Sequence, residues 1–177
     1  MTLLQHEALR EALTARELAD RLVVTPLLDP AQIGEASIDL RLGTDFLVLR
    51  RTVRAGFDIA AGGTRAEIDS LYERVVVPLA GELWIHPRQF ILGATLEFVR
   101  LPASLGGYVL GRSSWGRLGL LVATAVMVQP GFAGCLTLEL VNEGESPIRL
   151  APGLRVAQLA VHALRSSNRM KGPRFRR

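Results

Sequence analysis

The sequence predicts a mainly β domain, a sandwich or barrel of short strands. Three observations carry that expectation. Apolar and polar residues alternate over short runs at the two-residue period of a strand, turns such as "IHPRQ", "LPASLGG" and "LAPGL" separate the runs, and little between them reads as helix. At 177 residues, 49% of them hydrophobic, the chain is long enough to bury a core as one domain.

Near the N-terminus, "TARE" at Thr14 to Glu17 matches a capping box, with the Thr hydroxyl on a first-turn amide and Glu17 reaching back. It predicts a short helix to about Leu22 that docks through Leu18, Ala19 and Leu22. "ASIDLRLG" follows, placing Ile38, Leu40 and Leu42 on one strand face and Ser37, Asp39 and Arg41 on the other. Residues 55–71 read as a loop or insertion with one helical turn. Strands are then expected at "RVVVPL", "FILGATLEFVRL", "GGYVLG", "LLVATAVMV", "CLTLELVN" and "RVAQLAVHAL". The stretch from Leu118 to Leu138 carries no charge and is long enough by count to cross a bilayer. Its central "QPGFAG" would break such a helix, so two strands joined by a turn account for it better and no membrane partner is expected.

The formal charge is +4, and the excess is uneven: Arg165, Arg169, Lys171, Arg174, Arg176 and Arg177 crowd the C-terminus without an acid among them. Such a tail either meets phosphate or is a solvated, frayed end. Cys135 is the single cysteine, which excludes an intramolecular disulfide and fits a reducing compartment. The first residues carry acids and arginines where a signal peptide needs an apolar stretch, so a cytoplasmic location is expected.

His6, His86 and His162 are scattered, and neither a zinc-finger spacing nor the signature of zinc deaminases occurs. Any hydrolysis is therefore expected to run without protein-bound zinc. In "CLTLELV" the strand period puts Glu139 opposite the face of Leu136, Leu138 and Leu140. A solvent-facing strand glutamate is one reading; a base kept ionised by a neighbouring arginine is the other. The loop "LGRSSWGRLGL", Leu110 to Leu120, combines glycines, hydroxyls and guanidinium forks, the ingredients of an anion cradle.

Taken together, these motifs resemble the dCTP deaminase branch of the trimeric dUTPase superfamily. The resemblance rests on Gly111 to Leu120, Thr124-Ala125, the turn Pro130 to Gly134, Thr137 to Glu139, Asn142, and Leu150 to Leu159, in family order. "ASIDLRLG" and "IHPRQFILGATLEFVRLP" extend it upstream, covering roughly Arg16 to Leu164. It implies a distorted β-barrel or jelly-roll of the β-clip type with a short N-terminal helix, residues 1–164 forming one domain and residues 165–177 a basic tail. It also implies a homotrimer with intersubunit active sites, and zinc-free hydrolysis of dCTP to dUTP and ammonia with magnesium carried on the triphosphate. By resemblance, Glu139 is the general base, Arg117 and Ser113 orient the water and the developing tetrahedral centre, and the Ala125 carbonyl helps hold the water. Arg112 and Ser114 contact phosphates, Thr124 and Gln129 line the substrate site, and Lys171 and Arg174 close the tail over the triphosphate.

Departures from the family pattern shape the alternatives. Gln129 replaces an acid that contacts the deoxyribose and, in dUTPase relatives, the hydrolytic water; an amide can hydrogen-bond a hydroxyl but cannot act as a base. This argues against pyrophosphate cleavage. The family histidine before the Thr-Ala pair is missing, and the tail lacks the tyrosine and glutamine that cover the phosphates. A non-catalytic nucleotide-binding homologue and a deaminase of another cytosine nucleotide are the competing readings. DNA binding by the tail is a weaker fit, since its charges serve a triphosphate lid as readily.

Overall fold

The structure is a computed structural model that describes residues 2–50, 60, 65–123 and 126–164. In chain order the elements are β1 (Thr2–Leu3), α1 (His6–Thr14), β2 (Val23–Thr25), β3 (Ile38–Leu49), α2 (Arg65–Asp69), β4 (Tyr72–Val76), β5 (Leu83–Ile85) and β6 (Phe90–Arg100). They continue with β7 (Leu105–Gly111), α3 (Ser113–Gly116), β8 (Leu120–Val122), β9 (Met127–Val128), β10 (Ala133–Asn142), β11 (Ile148–Leu150) and β12 (Arg155–Ala163). The expected mainly β class holds.

One antiparallel sheet runs β8-β10-β6-β3-β12-β7-β9, with β1 added to β12, β2 to β6 and β4 to β3; β5 and β11 form a separate pair. The sheet curls, and the connectivity requires it. β8 and β9 end opposite edges of this seven-strand path, roughly 29 Å apart if it were flat, yet only residues 123–126 join them, a reach of roughly 18 Å. Curling brings β7 against β8, so that a Cβ on Gly111 would lie 3.5 Å from Val122 Cβ. Three register shifts supply the bend, at Leu42/Phe46 in β3, Cys135/Thr137 in β10 and Arg155/Ala157 in β12. At the first, Gly43 leaves β3 close to β6, where a Cβ would be 2.9 Å from the Ala94 carbonyl oxygen. At the second, the Leu136 N–H donates to Thr95 Oγ1 at 2.9 Å, and that hydroxyl donates to the Glu97 carbonyl at 2.8 Å. The Leu136 amide, displaced from the ladder by the bulge, is thereby satisfied.

The core lies inside the curl. Ile38, Leu40, Leu42 and Phe46 of β3, Ile91 and Val99 of β6, Leu136, Leu138 and Leu140 of β10 and Val156, Leu159 and Val161 of β12 are all buried. Leu9 of α1 and Leu22 close one end. The alternation expected for β3 is present, but its polar face is buried too: Asp39 and Arg41 pack under the Pro30–Gln32 turn, with Gln32 fully buried. Arg41 and Glu97 pair at 3.3 Å, and Glu97 also accepts from the Arg41 backbone N–H and from Gln32 Nε2, each at 2.8 Å.

Two expectations are corrected. The N-terminal helix ends at Thr14 instead of starting there, because the Thr14 hydroxyl turns back to the Arg10 carbonyl at 2.8 Å. Arg21 then donates to the carbonyls of Ala15 and Arg16, so the chain makes a turn before Leu22 buries, and Leu18 and Ala19 stay exposed. The single strand expected over residues 120–128 is two strands, β8 and β9, which lie at opposite ends of the sheet path. Among the described residues no helix is long and apolar enough to cross a membrane.

Candidate active site

The loop that the sequence singled out lies where the curled sheet meets itself. β7 ends at Gly111, Arg112 stays extended, and Ser113–Gly116 form one helical turn that Arg117 closes by donating its N–H to the Ser113 carbonyl at 3.1 Å. The turn exposes Ser113, Ser114 and Arg117 and holds Trp115 half-buried. Its indole Nε1 donates to the Arg155 carbonyl at 2.6 Å, fixing the loop to β12.

Gly119 returns the chain to the sheet. Its φ of +91° favours glycine, and a Cβ there would fall 2.4 Å from the Gly144 nitrogen, so no side chain fits. Glu143 N–H donates to the Gly119 carbonyl at 2.8 Å. Asn142, fully buried, holds that 143–146 turn by accepting from Gly144 N–H and donating to the carbonyls of Ile85 and Ser146, each at 2.9 Å. The sequence marked Asn142 only as a position before a turn; the structure makes it the fixture against which the loop closes.

From Gly119 the chain enters β8, which pairs with β10 at Leu140–Val122, Val141–Leu121 and Asn142–Leu120. Ala123 N–H donates to the Glu139 carbonyl at 2.8 Å. Glu139 is half-buried, on the face of β10 opposite the core leucines, as its period requires. The seam therefore gathers the start of the loop at Gly111, the end of β8 at Val122–Ala123, and the strand that carries Glu139.

Gln129 follows β9, which pairs with β7 at Gly107–Val128 and Tyr108–Met127. It is exposed, with its amide directed to Met127 Sδ at 3.3 Å and its carbonyl accepting from Phe132 N–H in the "QPGF" turn. Thr124, Ala125, Lys171 and Arg174 lie outside the described residues. Arg112 is turned inward: its Nη1 is 2.5 Å from Asp39 Oδ2, and the side chain is 28% exposed. Asp39 also meets Arg155, which pairs with Asp29. The Ala31 N–H, then Arg155, hold the Asp29 carboxyl below its ordinary range. On the Glu139 face, desolvation and then the charge of Glu97 raise the Cys135 thiol. Among the described residues no group of three or more His, Cys, Asp or Glu could hold a metal ion.

Sequence reasoning missed the cluster of Asp29, Asp39 and Arg155 behind the loop. The available signal was Asp39, an acid in a strand whose neighbours are apolar.

A family model described as dCTP deaminase-like matches residues 5–164. The chain belongs to that family. It is 43% identical over 147 residues to a dCTP deaminase of Haloarcula marismortui, covering 82% of this chain and 74% of that one. It is 42% identical over 148 residues, with the same coverage, to a dUMP-forming dCTP deaminase of Dictyoglomus turgidum. Among solved structures it is similar to the 2'-deoxycytidine 5'-triphosphate deaminase of Agrobacterium tumefaciens, with a TM-score of 0.68 and 25% identity over 92% of this chain. The chain spans 48% of the length of that solved protein, about half of it.

Proposed function

We propose that this dCTP deaminase-like protein hydrolyses the amino group of dCTP, giving dUTP and ammonia. The observation that carries the reading is the seam: a loop presenting two hydroxyls and a guanidinium, joined through β8 to the strand of a half-buried carboxylate. Its relatives are named for deamination of dCTP.

In this reading Glu139 takes a proton from water as the oxygen adds to the amine-bearing ring carbon, then returns it to the departing amine. Ser113, exposed on α3, and Arg117, exposed just after it, orient the water and stabilise charge at the tetrahedral centre, with the Ala125 carbonyl helping to hold the water. Arg112 and Ser114 receive the phosphates, Thr124 and Gln129 the rest of the nucleotide, and Lys171 and Arg174 of the 165–177 tail close over the triphosphate. Magnesium travels with the substrate triphosphate; the cations and hydroxyls of the loop suit the phosphate oxygens, not the bare ion. No zinc takes part in the proposed step. Residues 1–164 serve as the catalytic domain, and three copies share intersubunit sites in the cytoplasm.

The competing reading concerns the product. Relatives forming dUMP and relatives named simply dCTP deaminase are nearly equally similar, so similarity does not choose between them. Gln129 favours dUTP, since an amide has no carboxylate with which to activate a second water.

The experiment is steady-state kinetics on dCTP, CTP and dCMP, with the Arg117→Ala variant beside the wild type. Turnover of dCTP is expected, and its kcat is expected to fall roughly 100- to 1,000-fold in the variant, the cost of losing one preorganised donor. A rise in KM at unchanged kcat would move Arg117 to the phosphates. Turnover of CTP or dCMP in place of dCTP would assign a different cytosine nucleotide.

A further inference from the structure

Asp39 is 8% exposed and stands on β3 opposite Gln158 of β12, which stands opposite Leu110 of β7. Three paired strands thus set this carboxylate in the row that ends where the loop begins. Its Oδ1 accepts from Gln158 Nε2 at 3.2 Å, and its Oδ2 lies 2.5 Å from Arg112 Nη1 and 3.4 Å from Arg155 Nη1. Arg155 pairs with Asp29, and its carbonyl receives the Trp115 indole. The loop is therefore tied at Arg112 and at Trp115 to one cluster of two carboxylates and two guanidiniums.

Arg112 Nη1 is buried and makes no hydrogen bond, so the Asp39 charge holds it, while the exposure of the side chain belongs to its other atoms. A guanidinium gripped at one nitrogen still has N–H groups to offer an anion, and its long stem no longer has to be ordered when the anion arrives. Deeper in, Glu97 and Gln32 hold the Arg41 guanidinium, which leaves the Asp39 carboxylate to its outward partners.

We infer that Asp39 is a positioning residue for nucleotide binding, presetting Arg112 so that the loop meets the phosphates with its cation in place. This rests on the reading of the loop as the nucleotide cradle.

A double-mutant cycle on the full chain tests it, using Asp39→Asn, Arg112→Ala and the pair, with kcat and KM for dCTP and a thermal melt of each. Asp39→Asn is expected to raise KM about tenfold with a much smaller change in kcat, and to add little once Arg112 is alanine. Asp39→Glu, which keeps the charge, is expected to recover most of the KM, and Asp39→Ser takes the place of Asn in the cycle if that variant does not fold. Additive effects on KM, or an unchanged KM in a folded variant that lacks the carboxylate, would overturn the inference while leaving the deaminase reading intact. A wild type that neither binds nor turns over dCTP would overturn both.

Discussion

Glu139→Gln is expected to reduce deamination by roughly 100- to 10,000-fold, the usual worth of a positioned general base. Gln keeps the size and one oxygen of the side chain but cannot take a proton from water. Glu139 is half-buried on the outer face of β10, whereas Leu138 and Leu140 on the inner face are fully buried, so the substitution leaves the core untouched. Its backbone carbonyl, which accepts from Ala123 N–H, is untouched as well. The melting temperature and the dissociation constant for dCTP are therefore expected to stay near wild type while kcat falls. Wild-type turnover in the variant would remove Glu139 as the base, and loss of binding along with rate would make it a substrate contact.

The second large effect is on stability. Glu97→Ala is expected to lower the unfolding free energy by about 3–5 kcal/mol, measured by urea denaturation. Glu97 is fully buried on β6 and gathers the Arg41 backbone N–H, the Arg41 guanidinium and Gln32 Nε2. Removing it leaves the buried Arg41 guanidinium with Gln32 Oε1 as its neutral partner and no counter-charge from Glu97, and it takes an acceptor from two further donors, a larger cost than the methylenes alone. Glu97→Gln, which keeps an acceptor and the volume, is expected to cost less. A loss below about 1 kcal/mol in the alanine variant would mean that water or another acceptor reaches Arg41.

The strands were legible because their signal is local. The two-residue period of "CLTLELV" places three leucines inward and Glu139 outward whatever the rest of the chain does, and β10 follows it. The N-terminal helix was misplaced because a threonine hydroxyl can serve either helix end: it can cap a first-turn amide or return to the carbonyl four residues back, and Thr14 does the second. Asp39 was legible as an acid in a strand but not as a hub. Its partners, Arg112, Arg155 and Gln158, are far along the chain and meet it only once β12 lies between β3 and β7. The division of residues 120–128 into β8 and β9 likewise depends on the closure of the whole sheet.

The family was readable from ordered motifs, since "GRSSWGRLGL", "PGFAG" and "TLE" constrain one another in a way no single loop does. The structure adds the physical reason that the first and last belong together. Gly119 packs on the Asn142-held turn and directs the chain into β8, beside Glu139.

Deamination is tested at its outcome by ion-exchange analysis of the products after incubating the purified protein with dCTP and magnesium. dUTP and ammonia are expected in equal amounts, with dUTP stable to further incubation. Accumulation of dUMP and pyrophosphate would contradict the role given to Gln129. Intact dCTP, with nucleotide still bound, would contradict the catalytic reading and leave a nucleotide-binding homologue in its place.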